Sequence, residues 1–167
     1  MDLSDTIALL NIALSLELNH ILPQIFYIVS QATDRVLATG YTDKDGTHWE
    51  LSRDKLSRVM AGRKRCIICA KQSILKTMLS PLCESKEGCL MRLKNRRDGT
   101  LSFLHEDTAS LMGAAWIEPI GLCAPCTRLH TDICNEERRK CWERLAHIFG
   151  LVLEVVRPVS SRQVDNE

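Results

Sequence analysis

Apolar residues recur at helical spacing along most of the chain and predict a mostly α-helical fold. The first segment is apolar from Ile7 onward and follows the N-capping candidates Asp2 and Ser4. Residues 12–18 also alternate as a strand would, but we favour a helix because the preceding turn offers these caps. After a short polar break a second helix is predicted, with Pro23 tolerated in its first turn.

The middle of the chain is divided by turn signals. Residues 33–50 are predicted to form a loop or short hairpin around the Asp-Gly pair at 45–46. Ser52 is predicted to cap the next helix, which Gly62 is expected to end or bend. Apolar residues near helical spacing predict a further helix over 63–79.

The second half alternates short helices with breaks. In order, the predicted elements are a loop from Pro81 to Gly88, a helix from Cys89 to about Arg97, a turn at Asp98-Gly99, a helix from Glu106 to Ile117, and a last helix reaching Phe149. Gly150 suits the C′ position of that last helix. Trp142, Leu145 and Phe149 are predicted to be its buried stripe.

Charge and hydropathy limit the classes of function. Lys plus Arg is 22 and Asp plus Glu is 21, a balance that disfavours a nucleic-acid binder. No run of about 18 apolar residues predicts a membrane span, and the acidic N-terminal segment lacks the basic start of a secretory signal. We expect an intracellular, reducing setting, with nucleus or cytoplasm left open. Eight cysteines are then better explained as metal ligands or buried thiols than as disulfides.

Two cysteine pairs lie in turns where thiolates can converge. Cys123 and Cys126 enclose Ala-Pro directly before a helix, whose positive end stabilises thiolates. Cys83 and Cys89 lie in a loop, with a five-residue gap that is wider than a usual zinc knuckle. Together the pairs predict one structural Zn²⁺ site with four thiolate ligands.

The other four cysteines favour a buried role. Cys66 and Cys69 have the C-x-x-C spacing, but they enclose two isoleucines within a helical apolar pattern, where cysteine behaves as a small hydrophobe. Cys134 and Cys141 lie seven residues apart on one helix face, where burial is again the simpler interpretation. A second zinc site that joins Cys66 and Cys69 to Cys134 or His130 stays open, although a surface position is expected for His130.

Two other functions remain as alternatives. Cys123-Ala-Pro-Cys126 resembles the dithiol of a thioredoxin-like thiol–disulfide redox protein, but that chemistry needs a preceding strand and a βαβ scaffold. The basic runs 63–65, 92–97 and 138–140 could contact phosphates in a zinc-dependent nucleic-acid-binding regulator. Such runs are more often solvated helix faces, and two glutamates offset the last one. No phosphate loop, nucleophile elbow or carboxylate pair predicts an enzyme.

The order of these motifs resembles the C-terminal region of fungal (basidiomycete-type) BTB/POZ domain-containing proteins. That region reads L-C-x-x-C, a helical spacer, R-x-x-x-W-x-x-L-P and F-G-L. The matching positions here are Leu122, Cys123, Cys126, Arg138, Trp142, Leu145, Phe149, Gly150 and Leu151. Upstream, "ALLNIALSLELNHILPQIFYIVSQ" and "LSRDKLSRVMAGRKR" are similar to the helical end of the BTB region, and Cys83 and Cys89 fall where the family carries a C-x₅-C-like pair.

The resemblance implies three parts: a helical segment at 1–62 that is similar to the end of a BTB domain, a helical Cys-rich zinc-binding-like domain at 63–155, and a disordered tail at 156–167. The β-rich front half of a BTB domain is absent, and Ala146 replaces a family proline, so the last helix is expected to continue without a kink. We therefore expect a small helical bundle with a zinc-stapled C-terminal region. Its implied role is a non-catalytic adaptor that binds other proteins, with homo-oligomerisation left open and neither membrane nor nucleic acid expected as a partner.

Overall fold

The computed structural model describes residues 5–76, 79–103 and 121–151, and this part of the chain is mostly helical, as predicted. The elements are α1 (Asp5–Ser15), α2 (Leu22–Val29), α3 (Asp34–Thr39), β1 (Tyr41–Thr42), β2 (His48–Trp49), α4 (Arg53–Leu75), α5 (Lys86–Phe103), α6 (Ala124–Glu143) and α7 (Leu145–Ile148). None of these helices is both long and apolar enough to span a membrane. The helix predicted at 106–117 and the predicted tail at 156–167 lie outside the described residues.

The apolar core lies between α1, α2, α4 and α7. Ile7 and Leu10 of α1 are fully buried against α2, where Pro23 occupies the first turn as predicted. The rings of Phe26 in α2 and Phe149 after α7 stack with their centroids 5.7 Å apart. The two ends of the chain's described part therefore meet in one core.

α4 is a single helix and not two, which corrects the predicted break at Gly62. The helix continues through this glycine, which faces the ring of Phe149. A Cβ at this position would lie 3.0 Å from Cγ of Phe149 and closer still to Cδ1 and Cε1. Gly62 is a point of close packing, and helix α4 continues across the predicted domain boundary at residue 62.

The segment at 33–50 contains more structure than the predicted loop or hairpin. Thr33 caps the short helix α3 by accepting a hydrogen bond from the backbone N–H of Val36. β1 and β2 then pair in antiparallel register, Tyr41 with Trp49, around the predicted turn. The turn's Gly46 has a φ of 83°, the left-handed conformation that glycine adopts without strain.

The predicted loop from Pro81 to Gly88 is present but ends three residues early, and the predicted turn at Asp98-Gly99 is wrong. α5 begins at Lys86, before Cys89, and continues through Asp98-Gly99 to Phe103. An Asp-Gly pair favours a hairpin between strands, but no strand flanks it here, and the residues before it include the good helix formers Arg96 and Arg97.

The last predicted helix is divided at Arg144 into α6 and α7, although it was expected to continue without a kink. The predicted buried stripe is only partly confirmed. Leu145 and Phe149 are buried as predicted, but Trp142 is 44% exposed and meets Tyr27 edge to face.

Candidate metal centre

Four cysteines from two distant segments meet at one point. Cys83 lies in the loop before α5 and Cys89 in the first turn of that helix, whereas Cys123 caps α6 and Cys126 lies in its first turn. Their four Sγ atoms all lie within 4.8 Å of one another. These are the four cysteines that the sequence predicted as ligands, and the group could hold a metal ion.

The spacing of the thiols suits tetrahedral coordination. The Sγ atoms of Cys83 and Cys123 are 3.8 Å apart. Two thiolates on one tetrahedral ion, with metal–sulfur bonds of about 2.3 Å, are separated by about 3.8 Å. None of the eight cysteines, all of which lie in the described ranges, forms a disulfide. The cluster therefore has the donors and the spacing of a four-thiolate metal site.

Local sequence explains how the second pair is presented. Gly121 has a φ of 57°, and Arg92 of α5 donates a hydrogen bond to its carbonyl, which ties the turn before α6 to α5. Cys123 then takes an extended conformation and Pro125 enters the first turn of α6. The backbone N–H of Cys123 donates to Sγ of Cys89 at 3.4 Å, so the turn also contributes a backbone dipole to the cluster.

The first pair depends on turns on either side of Cys83. The backbone N–H of Cys83 donates to the carbonyl of Ser80, and that of Cys89 donates to the carbonyl of Ser85. Gly88 leaves room for the Ser85 side chain, since a Cβ there would lie 2.9 Å from its Oγ. These contacts fold a five-residue gap tightly enough for both thiols to face α6.

The four thiols differ in acidity. The backbone N–H of Cys126 and then that of Glu84 stabilise the Cys123 thiolate and lower its pKa to about 6. Burial raises the pKa of both Cys83 and Cys126. At Cys89 the N–H of Cys123 acts to lower the pKa, but burial and the neighbouring thiols outweigh it and raise the pKa. One thiolate is thus preformed, and a cation would supply the charge that the other three need.

The remaining cysteines do not join this cluster. Cys66 is buried in the apolar core, and burial raises the pKa of its thiol to about 12, with the nearby Cys69 and Cys141 adding to the effect. Among the described residues, the only group of three or more ligands that meets the same distance limit is the four-cysteine cluster. Cys66 and Cys69 lie close to Cys141 of α6, which the alternative second site with Cys134 or His130 did not include.

His130 is buried, which corrects the surface position expected for it. Only 4% of this residue is exposed, and its imidazole lies 3.7 Å from Sγ of Cys134 through Nε2. The two residues are one turn apart on α6. His130 is therefore a buried residue of α6, and it is not one of the four clustered ligands.

Several residues of the three basic runs form hydrogen bonds or ion pairs within the protein. Arg63 donates to the carbonyls of Ser30 and Ala32 and pairs with Asp34, so it ties α4 to the end of α2. Arg65 donates to the carbonyl of Ile148 at the end of α7.

In the last run the predicted pairing is present. Arg139 pairs with Glu136, and Lys140 pairs with both Glu136 and Glu137. The hydrogen bonds with Arg139 lower the pKa of Glu136 to about 2.

A polar contact between α4 and α6 was not predicted. Glu137 is buried, accepts a hydrogen bond from Lys76 and lies 3.5 Å from the hydroxyl of Ser73. No local signal could have revealed this contact, because it depends on how two distant helices pair. Glu137 lies one turn before Cys141, the residue of α6 that belongs to the apolar core.

Comparison with known proteins adds no relative to these observations. No family model, no curated protein and no solved structure matches the chain.

Proposed function

We propose that this chain is a non-catalytic protein–protein interaction or adaptor module, and that its Cys-rich half is stabilised by one structural Zn²⁺. The observation that carries the proposal is the convergence of four Sγ atoms within 4.8 Å. Four protein thiolates complete a zinc tetrahedron and leave no position for water or substrate, which is the arrangement of structural sites and not of catalytic ones.

The distribution of buried residues supports a structural role. Among the side chains that the structure describes, the apolar core contains none from α5 and only Cys141 from α6. The buried residues Cys89, Leu93 and Cys126 lie outside that core. A bound metal would therefore substitute for an apolar core in this part of the chain, as it does in small zinc domains.

The interaction role rests on the resemblance to the C-terminal region of fungal BTB/POZ proteins. That resemblance implies an adaptor, and a closed four-thiolate site is consistent with it because such a site organises a surface without adding chemistry. Several large apolar side chains are exposed near the cluster, including Leu82 at 77%. Exposed apolar groups of this kind are typical of binding surfaces when they are grouped.

Metal analysis of the purified chain tests the zinc proposal. We expect about one zinc per chain, with loss of metal and of thermal stability in both Cys83→Ser and Cys123→Ser. Cys134→Ser is the matched control, because Cys134 is also partly buried but lies outside the cluster, and it should retain zinc. Zinc retained in both cluster variants would refute the ligand assignment, and about two zinc ions per chain would restore a second site near Cys66 and Cys69.

Hydrogen exchange locates the region that the metal stabilises. After removal of zinc with a chelator, backbone amides of α5 and of the first turns of α6 should lose protection, whereas those of α2 and the first half of α4 should keep it. The reason is that the second group packs in the apolar core, whereas no side chain described in the first group belongs to that core. Uniform loss of protection across all helices would contradict this division.

One observation favours a second candidate, a thiol–disulfide redox protein. The pKa of Cys123 is lowered to about 6, and Cys126 follows it in the first turn of α6, as in a redox dithiol. A lowered pKa equally suits a metal ligand, and two further thiols lie against this pair. Catalytic reduction of insulin disulfides by the reduced chain, lost in Cys123→Ser, would support the redox role and overturn the non-catalytic one.

A further inference from the structure

Three cysteines outside the metal centre come together between α4 and α6. Cys66 of α4 lies near both Cys69 and Cys141. Burial raises the pKa of Cys141, and the neighbouring Cys69, to which it is hydrogen-bonded, adds to the effect. The zinc proposal uses none of these thiols, so their chemistry is open.

α4 runs antiparallel to the chain from α6 to α7. Ser73, late in α4, lies with its hydroxyl 3.5 Å from a carboxylate oxygen of Glu137 in α6. Gly62, earlier in α4, faces Phe149, which follows α7. Because serine has a short side chain, its contact with Glu137 also requires α4 and α6 to lie close together at this turn.

This direction places Cys69 opposite Cys141. Cys69 lies one turn before Ser73 on α4, and Cys141 lies one turn after Glu137 on α6. Axes of packed helices are about 8–10 Å apart, and each Cα lies about 2.3 Å from its axis. Facing Cα atoms therefore come within the roughly 4.4–6.8 Å that a disulfide needs.

Exposure decides which thiol meets an oxidant first. Cys66 is 1% exposed and Cys141 is 8% exposed, whereas Cys69 is only partly buried. An oxidant in the solvent therefore reaches Cys69 before the other two, and the thiol that lies opposite Cys69 is Cys141.

We propose that Cys69 and Cys141 are a modification site, at which hydrogen peroxide forms a reversible disulfide that joins α4 to α6. In the first step the Cys69 thiol becomes a sulfenic acid, the peroxide O–O bond breaks and one water leaves. The Cys141 sulfur then bonds to the Cys69 sulfur, and the sulfenic hydroxyl leaves with the Cys141 proton as a second water. The two thiols lose two electrons, and one peroxide is reduced to two waters. A dithiol reductant restores both thiols by exchange.

The disulfide uses none of the proposed zinc ligands. It closes a loop of about 70 residues and so restrains the unfolded chain. Oxidation should therefore stabilise the packing of α6 on α4 whether or not the metal is bound.

Disulfide mapping of the full zinc-loaded chain tests the site. The chain is treated briefly with hydrogen peroxide, its remaining thiols are alkylated, and it is digested with trypsin. Trypsin leaves Cys66 and Cys69 together in the peptide CIICAK and Cys141 in the peptide CWER. We expect mass spectrometry to find these two peptides joined, and to find them separate after treatment with dithiothreitol.

Single variants assign the two sulfur atoms. The joined peptides should persist in Cys66→Ala and in the control Cys134→Ser, and should be absent from Cys69→Ser and Cys141→Ser. Fragmentation of the joined peptides from the parent makes the same assignment without any variant, so it holds even if Cys66→Ala fails to fold.

Thermal unfolding in excess chelator measures the effect on stability. Peroxide should raise the melting temperature of the parent by on the order of 10 °C more than that of Cys69→Ser, and dithiothreitol should remove the difference.

Four results would overturn the site: no joined peptides in the folded parent, joined peptides in Cys69→Ser, a dominant Cys66–Cys69 bond within CIICAK, or equally ready joining in urea. Zinc content of the same samples separates the two proposals. A zinc-loaded chain without the bond refutes the disulfide alone, whereas a metal-free chain that forms it refutes the zinc staple alone.

Discussion

Substitution of Gly62 by alanine tests the packing of α4 against α7 because local and tertiary effects have opposite signs. In the interior of an exposed helix, Gly→Ala stabilises a protein by about 0.5–1 kcal/mol. At Gly62, however, a Cβ would overlap the ring of Phe149. We therefore expect Gly62→Ala to destabilise the protein although it raises helix propensity.

The magnitude follows from how little the ring can move. Phe149 is 1% exposed and stacks on Phe26, so a shift of its ring disturbs the centre of the core. Overpacking of this kind costs about 1–3 kcal/mol. After the gain in helix propensity is subtracted, the net loss should be about 1–2 kcal/mol, which lowers the melting temperature by several degrees in a chain of this size.

Urea unfolding followed by circular dichroism measures the effect, and Gly99→Ala provides the matched control. Gly99 is also inside a helix, but a Cβ there meets no atom within 4 Å, so this variant should be more stable than the parent. Combining Gly62→Ala with Phe149→Leu should give less than the sum of the two losses, because leucine vacates the space that the new methyl needs. A Gly62→Ala variant as stable as the parent would refute the packing argument.

Three further predictions concern contacts between helices. Arg63→Ala should destabilise the chain by about 2 kcal/mol in urea unfolding, because it leaves two carbonyls at the end of α2 without a hydrogen-bond donor. The control is Lys64→Ala at an exposed position, which should change the free energy of unfolding by less than about 0.5 kcal/mol. Leu145→Ala should lower the free energy of unfolding by about 2–5 kcal/mol, and Trp142→Ala should lower it by much less. Equal losses in the two variants would instead indicate that both side chains belong to one buried stripe. Burial acts to raise the pKa of Glu137, but hydrogen bonds from two lysines outweigh it and hold the pKa below its usual value. The carboxylate therefore contributes fully above about pH 4.3, and the stability advantage over Glu137→Gln should shrink as the pH falls below that, which unfolding at a series of pH values would show.

Signals that depend only on neighbouring residues predicted much of the fold. Pro23 at the start of α2, the turn at Gly46 and the end of α7 at Gly150 each follow from backbone chemistry within a few residues. Gly62 shows the limit of such signals. A glycine can mark a break or a close approach, and only the position of Phe149, which is distant in the sequence, decides between them.

The four-cysteine cluster was predictable for a different reason. Gly121 and Pro125 indicate a chain reversal at the second pair, and the first pair lies in a polar loop, so both pairs could be expected to present thiols. The grouping of Cys66 with Cys141 could not be predicted, because the register of α4 against α6 is determined by tertiary packing. The break at Arg144 likewise lacks a local signal.

α6 joins two regions that are stabilised differently. Its first turn carries Cys126 in the thiol cluster, and its last turn carries Cys141 in the apolar core. If zinc holds the cluster, loss of the metal should release α5 and the start of α6, while the apolar core retains the end of α6 and all of α1.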